Sequence, residues 1–328
     1  MSAHFRPDCQ RDLATSGGND SAFPFRLAAG MGCQLWRARP APVAARGFLA
    51  VASAMVVLGL AGCATVPYHY GAAGQYHTSD ELAASSEPQI TRGSSRQVID
   101  GVGWVVGIPG KLILWDQRVD NHCISPETEE SLARYLAANE LETVKVRLNE
   151  YAPLEEWQRL VANKAVGWGW RYTLGTLAWV EYTVLPGRIF GGDHYDPYTN
   201  TISLYSDVPS LALHEGGHAK DFARREYQGT YAAVYHLPGV PLWHEAVATN
   251  DALGYLRAAG TLAEEQEAYR ILYPAYGTYV GGTASHFLGA PADLAVFAAA
   301  VIPAHVAGRF KAHQLEEQRP KEDALPAR

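Results

Sequence analysis

Several things are missing from this 328-residue chain, and each absence narrows what it can be. It has no tract of clustered lysine and arginine, and its net charge is -7, which argues against nucleic acid as a partner. No internal repeat is visible, so the chain is not a solenoid or propeller. The apolar stretch from Gly47 to Gly62 is slightly short of the roughly 20 residues that cross a bilayer. Cysteine is scarce, with Cys9, Cys33, Cys63 and Cys123 the only four. The composition is otherwise globular, at 48% hydrophobic and 19% charged, and sufficient for one large domain or two small ones with a core.

Residues 1–45 are rich in Arg, Pro, Ser and Ala without apolar periodicity. They lead into RGFLAVASAMVVLGLAGC, where Arg37, Arg39 and Arg46 precede an apolar run that ends in small residues. That is the layout of a secretory signal: a basic region, an apolar region and a small-residue cleavage site. Leu60-Ala61-Gly62-Cys63 resembles the lipobox of bacterial lipoproteins, and the resemblance implies cleavage before Cys63 and diacylation of its thiol. Ala64 in place of Asp implies sorting to the outer membrane, facing the periplasm.

The domain organisation follows from this reading. Residues 1–62 form a leader and signal peptide, and 63–97, rich in Ser, Gly, Ala, Thr and Gln, form a flexible tether. A folded domain over 98–313 divides at 184/185, and 314–328 form a polar tail. Residues 1–62 hold six Arg against three Asp, so their removal leaves the mature chain at -10. Cys123 is then the sole cysteine beside the lipidated Cys63, so no internal disulfide is expected. It reads as a buried small residue.

Within the domain, Ser125-Pro126-Glu127 opens a helix to Ala138, with Ser as N-cap, Pro at the first helical position and acids in the first turn. Thr143 to Leu148 alternates like a strand with one apolar face, and Pro153 to Val166 reads as an amphipathic helix. The apolar segment from Val102 to Trp115 is interrupted by Gly107, Pro109, Gly110 and Lys111 and reads as buried packing. The aromatic-rich stretch from Trp168 to Leu185 also reads as core. Short strands are expected at 188–192 and 200–205 around the turn-rich DHYDPYTN. Helices are expected at 208–227, 241–259, 262–273, 275–288 and 291–310. Gly260 would stop the second of these, Thr261 and Glu264 would cap the third, and Pro303 would kink the last.

The chemistry-bearing stretch is LALHEGGHAKDF, residues 211–222. His214 and His218 lie four apart, so on a helix both imidazoles leave one face. Leu211, His214, His218 and Phe222 form one inward stripe. Two buried imidazoles without a metal would need two separate hydrogen-bond solutions. His-Glu-x-x-His on a helix is the zinc-peptidase arrangement, in which two imidazoles hold the ion and Glu215 acts on its water. Gly216 and Gly217 each cost a helix about 1 kcal/mol against alanine, and close approach of a strand or substrate would account for them.

A catalytic zinc takes a third protein ligand. Glu245 is the preferred candidate, with His244 and His236 as alternatives. The 27-residue spacing from His218 to Glu245 resembles the gluzincins, zinc peptidases completed by a Glu from a second helix. That resemblance spans 185–290. It implies an α+β, mostly helical zincin-like fold with a small mixed sheet whose edge strand precedes the HExxH helix, and Thr201 to Tyr205 would hold substrate by strand addition. Many gluzincins place an Asp four residues after the ligand Glu, where this chain has Thr249. Asp221 is a candidate to support His218, or else a partner of Arg224 or Arg225. Asp193 and Asp196 read as turn-forming acids. The clan also implies a downstream Tyr or His for the oxyanion, for which Tyr276, Tyr279 and His286 form the shortlist.

The function expected from the resemblance is that of a lipid-anchored zinc metallopeptidase acting on a peptide or protein substrate in the cell envelope. The metal would lower the pKa of its water towards about 7, and Glu215 would pass the proton to the leaving amine. The alternative is a scaffold or assembly lipoprotein that keeps a zinc site without turnover.

Overall fold

The computed structural model describes residue 71, residues 75–288 and residues 294–323. The leader, the signal segment and the lipobox with Cys63 lie outside the described residues. In chain order come α1 (Asp80–Ala83), β1 (Ile90–Arg92), α2 (Gln97–Val106), α3 (Ile108–Leu114), α4 (Pro126–Ala138), β2 (Lys145–Leu148) and α5 (Pro153–Ala162). A helical turn at Trp168–Trp170 and a π-helical segment at Arg171–Gly175 lead into α6 (Thr176–Val184), α7 (Gly187–Phe190), β3 (His194–Asp196) and β4 (Thr201–Leu204). The rest is helical: α8 (Pro209–Ala223), α9 (Gln228–Tyr235), α10 (Val240–Ala259), α11 (Leu262–Leu288) and α12 (Leu294–Asp323). The fold is α+β and mostly helical, with one small mixed sheet, as expected.

The sheet runs in the order β1-β2-β4-β3, with the first three strands parallel and β3 antiparallel at the edge. Alternation decides its two faces. Val146, Leu148, Ile202 and Leu204 join the main core with Leu132, Leu136 and Leu213 from the helices above. Each such side chain contributes about 1.5–3 kcal/mol on burial. The opposite face is polar yet covered. Arg147, 1% exposed, meets Glu156 at 2.5 Å, Glu150 at 2.7 Å and Glu155 at 2.9 Å. Arg159 of α5 reaches Thr199 O and Thr201 Oγ1 at 3.2 Å. A buried guanidinium is tolerated only when paired in this way, and the pairing fastens α5 beneath the sheet.

Local signals placed α4 correctly. Ser125 Oγ accepts from the Thr128 amide at 3.3 Å, and the Asp207 carboxylate accepts from both Ser125 Oγ and Thr128 Oγ1 at 2.6 Å. The cap therefore ties the start of α4 to the loop before α8. The Thr261–Glu264 box also forms, with Glu264 Oε2 accepting from the Thr261 amide at 2.6 Å. Gly260 ends α10.

Other expectations are corrected. The tether expected over 63–97 contains α1 and β1, because Ile90, Thr91 and Arg92 find open backbone partners along β2. The strand expected at 188–192 is replaced by α7, and β3 forms inside DHYDPYTN instead. β4 is consequently an interior strand, and the edge belongs to β3. The helices expected at 262–273 and 275–288 are one helix running through Pro274. The tail expected from residue 314 is helical to Asp323, held by Gln266 Nε2 donating to Ala312 O at 2.8 Å. Cys123 is disulfide-bonded rather than unpaired.

Neither aromatic segment is wholly core: Leu114 is buried and Leu174, Ala178 and Trp179 are half-buried, but most of the large side chains are exposed. Gly103 of α2 and Gly107 at the α2–α3 junction face inward: a Cβ at Gly103 would meet Arg188 O and the His122 ring at 2.4 Å, and one at Gly107 would meet Asp120 Cβ at 2.5 Å. Most of the large apolar side chains, Ile113 and Leu114 excepted, are therefore left outside. Trp168, 76% exposed, shows the same outcome further along. Among the described residues one helical stretch, Ala295–Gln318, is long and apolar enough to cross a membrane, and it packs along α11.

Replacing Ser125 by Ala removes the α4 cap and one Asp207 contact. It is expected to lower unfolding stability by about 1 kcal/mol in urea denaturation, without loss of the folded baseline.

Candidate metal centre

Helix α8 carries His214, Glu215 and His218 directly under the sheet edge. α10 crosses it and brings Glu245. The contact distance is set by the two glycines. A Cβ at Gly217 would lie 2.8 Å from Ala248 O and 2.9 Å from Ala248 Cα on α10, while one at Gly216 would lie 2.6 Å from the Tyr135 ring on α4. The glycines thus admit two helices, not the strand or substrate expected. Their propensity cost is offset by the packing of α4 and α10.

That approach brings three ligand atoms together. His214 Nε2 lies 3.0 Å from Glu245 Oε2, His218 Nε2 lies 3.5 Å from the same oxygen, and the two Nε2 atoms are 3.2 Å apart. Ligands about 2.0–2.1 Å from a tetrahedral ion stand roughly 3.3 Å from one another, so the triangle has the size one zinc-sized cation requires. All three side chains are largely buried. Glu245 completes the group; His244 and His236 do not. His244 is 1% exposed, stacks on Tyr231 at 4.2 Å, and neither ring nitrogen has a hydrogen-bond partner. Burial lowers its pKa to about 4. It is a neutral ring packed behind the ligand carboxylate.

The surrounding contacts orient the ligands. Thr249 Oγ1 is 3.3 Å from His214 Nδ1, so the position where many gluzincins carry Asp is used here by a hydroxyl. With Nδ1 occupied there, Nε2 is the atom left to face the triangle. Tyr235 of α9 donates to Glu245 Oε1 at 2.9 Å, leaving Oε2 to the histidines. Sequence reading missed Tyr235, because Gly229, Pro238 and Gly239 made residues 227–240 look like a plain reversal. Only Gly239, at φ +86°, is a true turn glycine there. Asp251 turns away, accepting from Tyr135 at 2.5 Å and pairing with Lys220 at 3.1 Å. Asp221 pairs with Arg225, and Tyr231 donates to it at 2.6 Å.

Glu215 and Glu245 have opposite electrostatics. Burial, reinforced by Glu245 and Asp193, pushes Glu215 up to about 8, against the pull of His214 and a hydrogen bond from the Tyr195 amide. Burial also raises Glu245, but the His218 and His214 contacts outweigh it and hold the carboxyl far below its usual range. Several acids thus converge at the triangle. A divalent ion there would relieve that repulsion.

The triangle opens into a cleft of about 620 Å³, lined near the site by Glu215, His218, Tyr235, Glu245 and Tyr279. Of the oxyanion shortlist only Tyr279 lies in it. The residue is 37% exposed, while burial and the nearby Glu245 carboxylate raise its pKa. Tyr276 instead donates to Leu242 O at 3.2 Å in a buried cluster with Ala246 and Val280. His286 is exposed two turns beyond Tyr279, off the cleft lining. β3 forms one wall. Asp193 accepts from the Tyr205 and Ser206 amides at 2.6 and 3.0 Å, and Asp196 accepts from the Tyr198 amide at 2.8 Å, so both acids shape the turns as expected.

No protein-family model, curated protein or solved structure matches the chain. The functional reading therefore rests on the chemistry of the site.

Gly217→Ala forces its methyl into the α10 backbone. It is expected to cost about 1–3 kcal/mol in thermal unfolding, as overpacking does, and to weaken divalent-metal retention by displacing Glu245.

Proposed function

We propose that the protein is a zinc-dependent metallopeptidase of the gluzincin type, anchored through Cys63 to the outer membrane and facing the periplasm. The mutual spacing of His214 Nε2, His218 Nε2 and Glu245 Oε2, between 3.0 and 3.5 Å, carries the reading. A zinc ion bound there would supply Lewis acidity, polarising a peptide carbonyl and acidifying water.

The chain's own residues do the rest. Glu215, one residue from His214 and lining the cleft, takes a proton from the attacking water and delivers it to the departing amine nitrogen. Thr249 and Tyr235 hold His214 and Glu245 in place. Tyr279 offers its hydroxyl to the carbonyl oxygen as negative charge develops. An extended peptide laid against β3 would bring its backbone alongside Glu215, whose carboxylate already receives the Tyr195 amide.

The disulfide at Cys123 bears on the anchor. Cleavage before Cys63 would leave Cys63 and Cys123 as the two cysteines of the mature chain, and a thioether-linked sulfur forms no disulfide. Lipidation and a Cys63–Cys123 bridge therefore exclude each other within one molecule.

Two measurements test these readings. The purified protein is expected to hold one zinc per chain, lost in His218→Ala, while Glu215→Gln keeps the metal and loses peptide hydrolysis by at least about a hundredfold. Absence of peptide hydrolysis in the zinc-loaded wild-type protein would return it to the scaffold alternative, and unchanged hydrolysis in Glu215→Gln would remove Glu215 from the base role. Intact mass of membrane-extracted protein is expected to show a diacylated Cys63. A Cys63–Cys123 bridged chain removes the anchor and leaves the metal reading standing.

A further inference from the structure

The α2–α3 elbow is amphipathic in the inverted sense. Val98, Val102 and Val105 fall at i, i+4 and i+7 and face outward, at 80%, 47% and 58% exposure. On the inner side, Gly103 lies against α7, Arg188 pairs with Asp100 at 2.6 Å, and the buried Lys111 donates to Trp104 O and Asp120 O at 3.1 Å. Leu112 and Trp115 continue the outward face at 68% and 64% exposure. From Gly101 to Trp115 there is no acidic residue, and the one cation is turned inward.

The two arms are bent by 49° and have 10 and 7 residues. At 1.5 Å per residue each arm alone reaches only roughly 15 or 10 Å. Together they are long and apolar enough for a broken span, but the bend and the packing of α2 on α7 hold them against the domain. They suit a position along a surface, not across a bilayer. Trp104 and Trp115 are the side chains favoured at a headgroup boundary. Arg309 of α12 lies 4.5 Å over the Trp115 ring and is exposed, and Arg96 opens α2, so cations stand at both ends where lipid phosphates would be.

The length of chain outside the described structure selects the occupant. The fold is already fixed at Tyr76, whose hydroxyl donates to Asn139 O, and at His77, whose amide donates to Ala223 O. Thirteen residues separate Tyr76 from Cys63. Fully extended, they span at most about 45 Å, so a membrane holding Cys63 is within reach of the elbow.

We propose that the α2–α3 elbow seats on the phospholipid surface, with Trp104, Val105, Leu112 and Trp115 in the headgroup–acyl boundary. α7 packs directly on α2, and its Phe190 lines the cleft, so the seated domain holds the cleft mouth beside the lipid. The inference rests on the membrane-anchor reading and not on the metal.

The test uses the full chain reconstituted into phosphatidylethanolamine–phosphatidylglycerol vesicles doped with brominated phosphatidylcholine. Vesicle flotation reports the anchor; tryptophan quenching reports the elbow. Quenching is expected in the wild-type chain, to fall to the level of the remaining tryptophans in W104F/W115F, and to be unchanged in W157F. V105E/L112E should lose the Trp104 and Trp115 component while still floating. Flotation with Trp104 and Trp115 unquenched overturns the seating and leaves the anchor, whether water or a second copy of the chain covers the face. Failure to float overturns both. Zinc content, measured on the same samples, stands or falls separately.

Discussion

The site depends on how closely α8 and α10 can pack. Two imidazoles one turn apart are common enough in proteins. What makes these a candidate cation site is a carboxylate oxygen within 3.5 Å of both, and that requires α10 to rest its Ala248 backbone where any side chain at position 217 would stand. Gly216 does the same for Tyr135 on the other flank. The sequence cost of two interior glycines, about 2 kcal/mol in helix propensity, is a local disadvantage sustained by packing, as expected where local and global preferences conflict at a functional site.

The acids around that contact form one electrostatic unit. Glu215, Glu245, Asp193 and Asp196 all lie within or behind the cleft wall, and burial pushes all four up, leaving three raised on balance. Glu245 alone is held charged, by the imidazoles beside it. A protein without a cation here would bear the desolvation of these carboxyls with little return. The polar underside of the sheet contrasts with it: Arg147 and Arg159 are matched by carboxylates and carbonyls already in the chain. One acidic cluster is self-neutralised, and the other is arranged so that a cation could complete it.

How much of this could be read from the sequence follows the range of the interactions. Ser125 and the Thr261–Glu264 box were legible because a cap is decided within four residues. The HExxH pair was legible because helical periodicity fixes its face, and Glu245 because its spacing matched a known pattern. The glycines, Tyr235 and the exposed aromatics were not. Each depends on which distant element arrives: Ala248 at Gly217, Glu245 at Tyr235, Arg188 and His122 at Gly103. β3 was missed for the same reason, since three residues in a turn-rich stretch become a strand only when β4 offers an edge. The tether was misread because composition says nothing of the vacant side of β2 that β1 fills.

The brevity of β3 has a consequence for whatever enters the cleft. A strand of three residues advances only about 10 Å, and its Tyr195 amide is already turned toward Glu215. An incoming chain would find room for no more than a backbone contact or two before the edge gave out. Selection among sequences would then fall to side chains pressed against Leu174, Leu177 and Leu185 on the apolar wall. Such a groove would discriminate by girth and oiliness, and hardly at all by the length of any chain trailing beyond it.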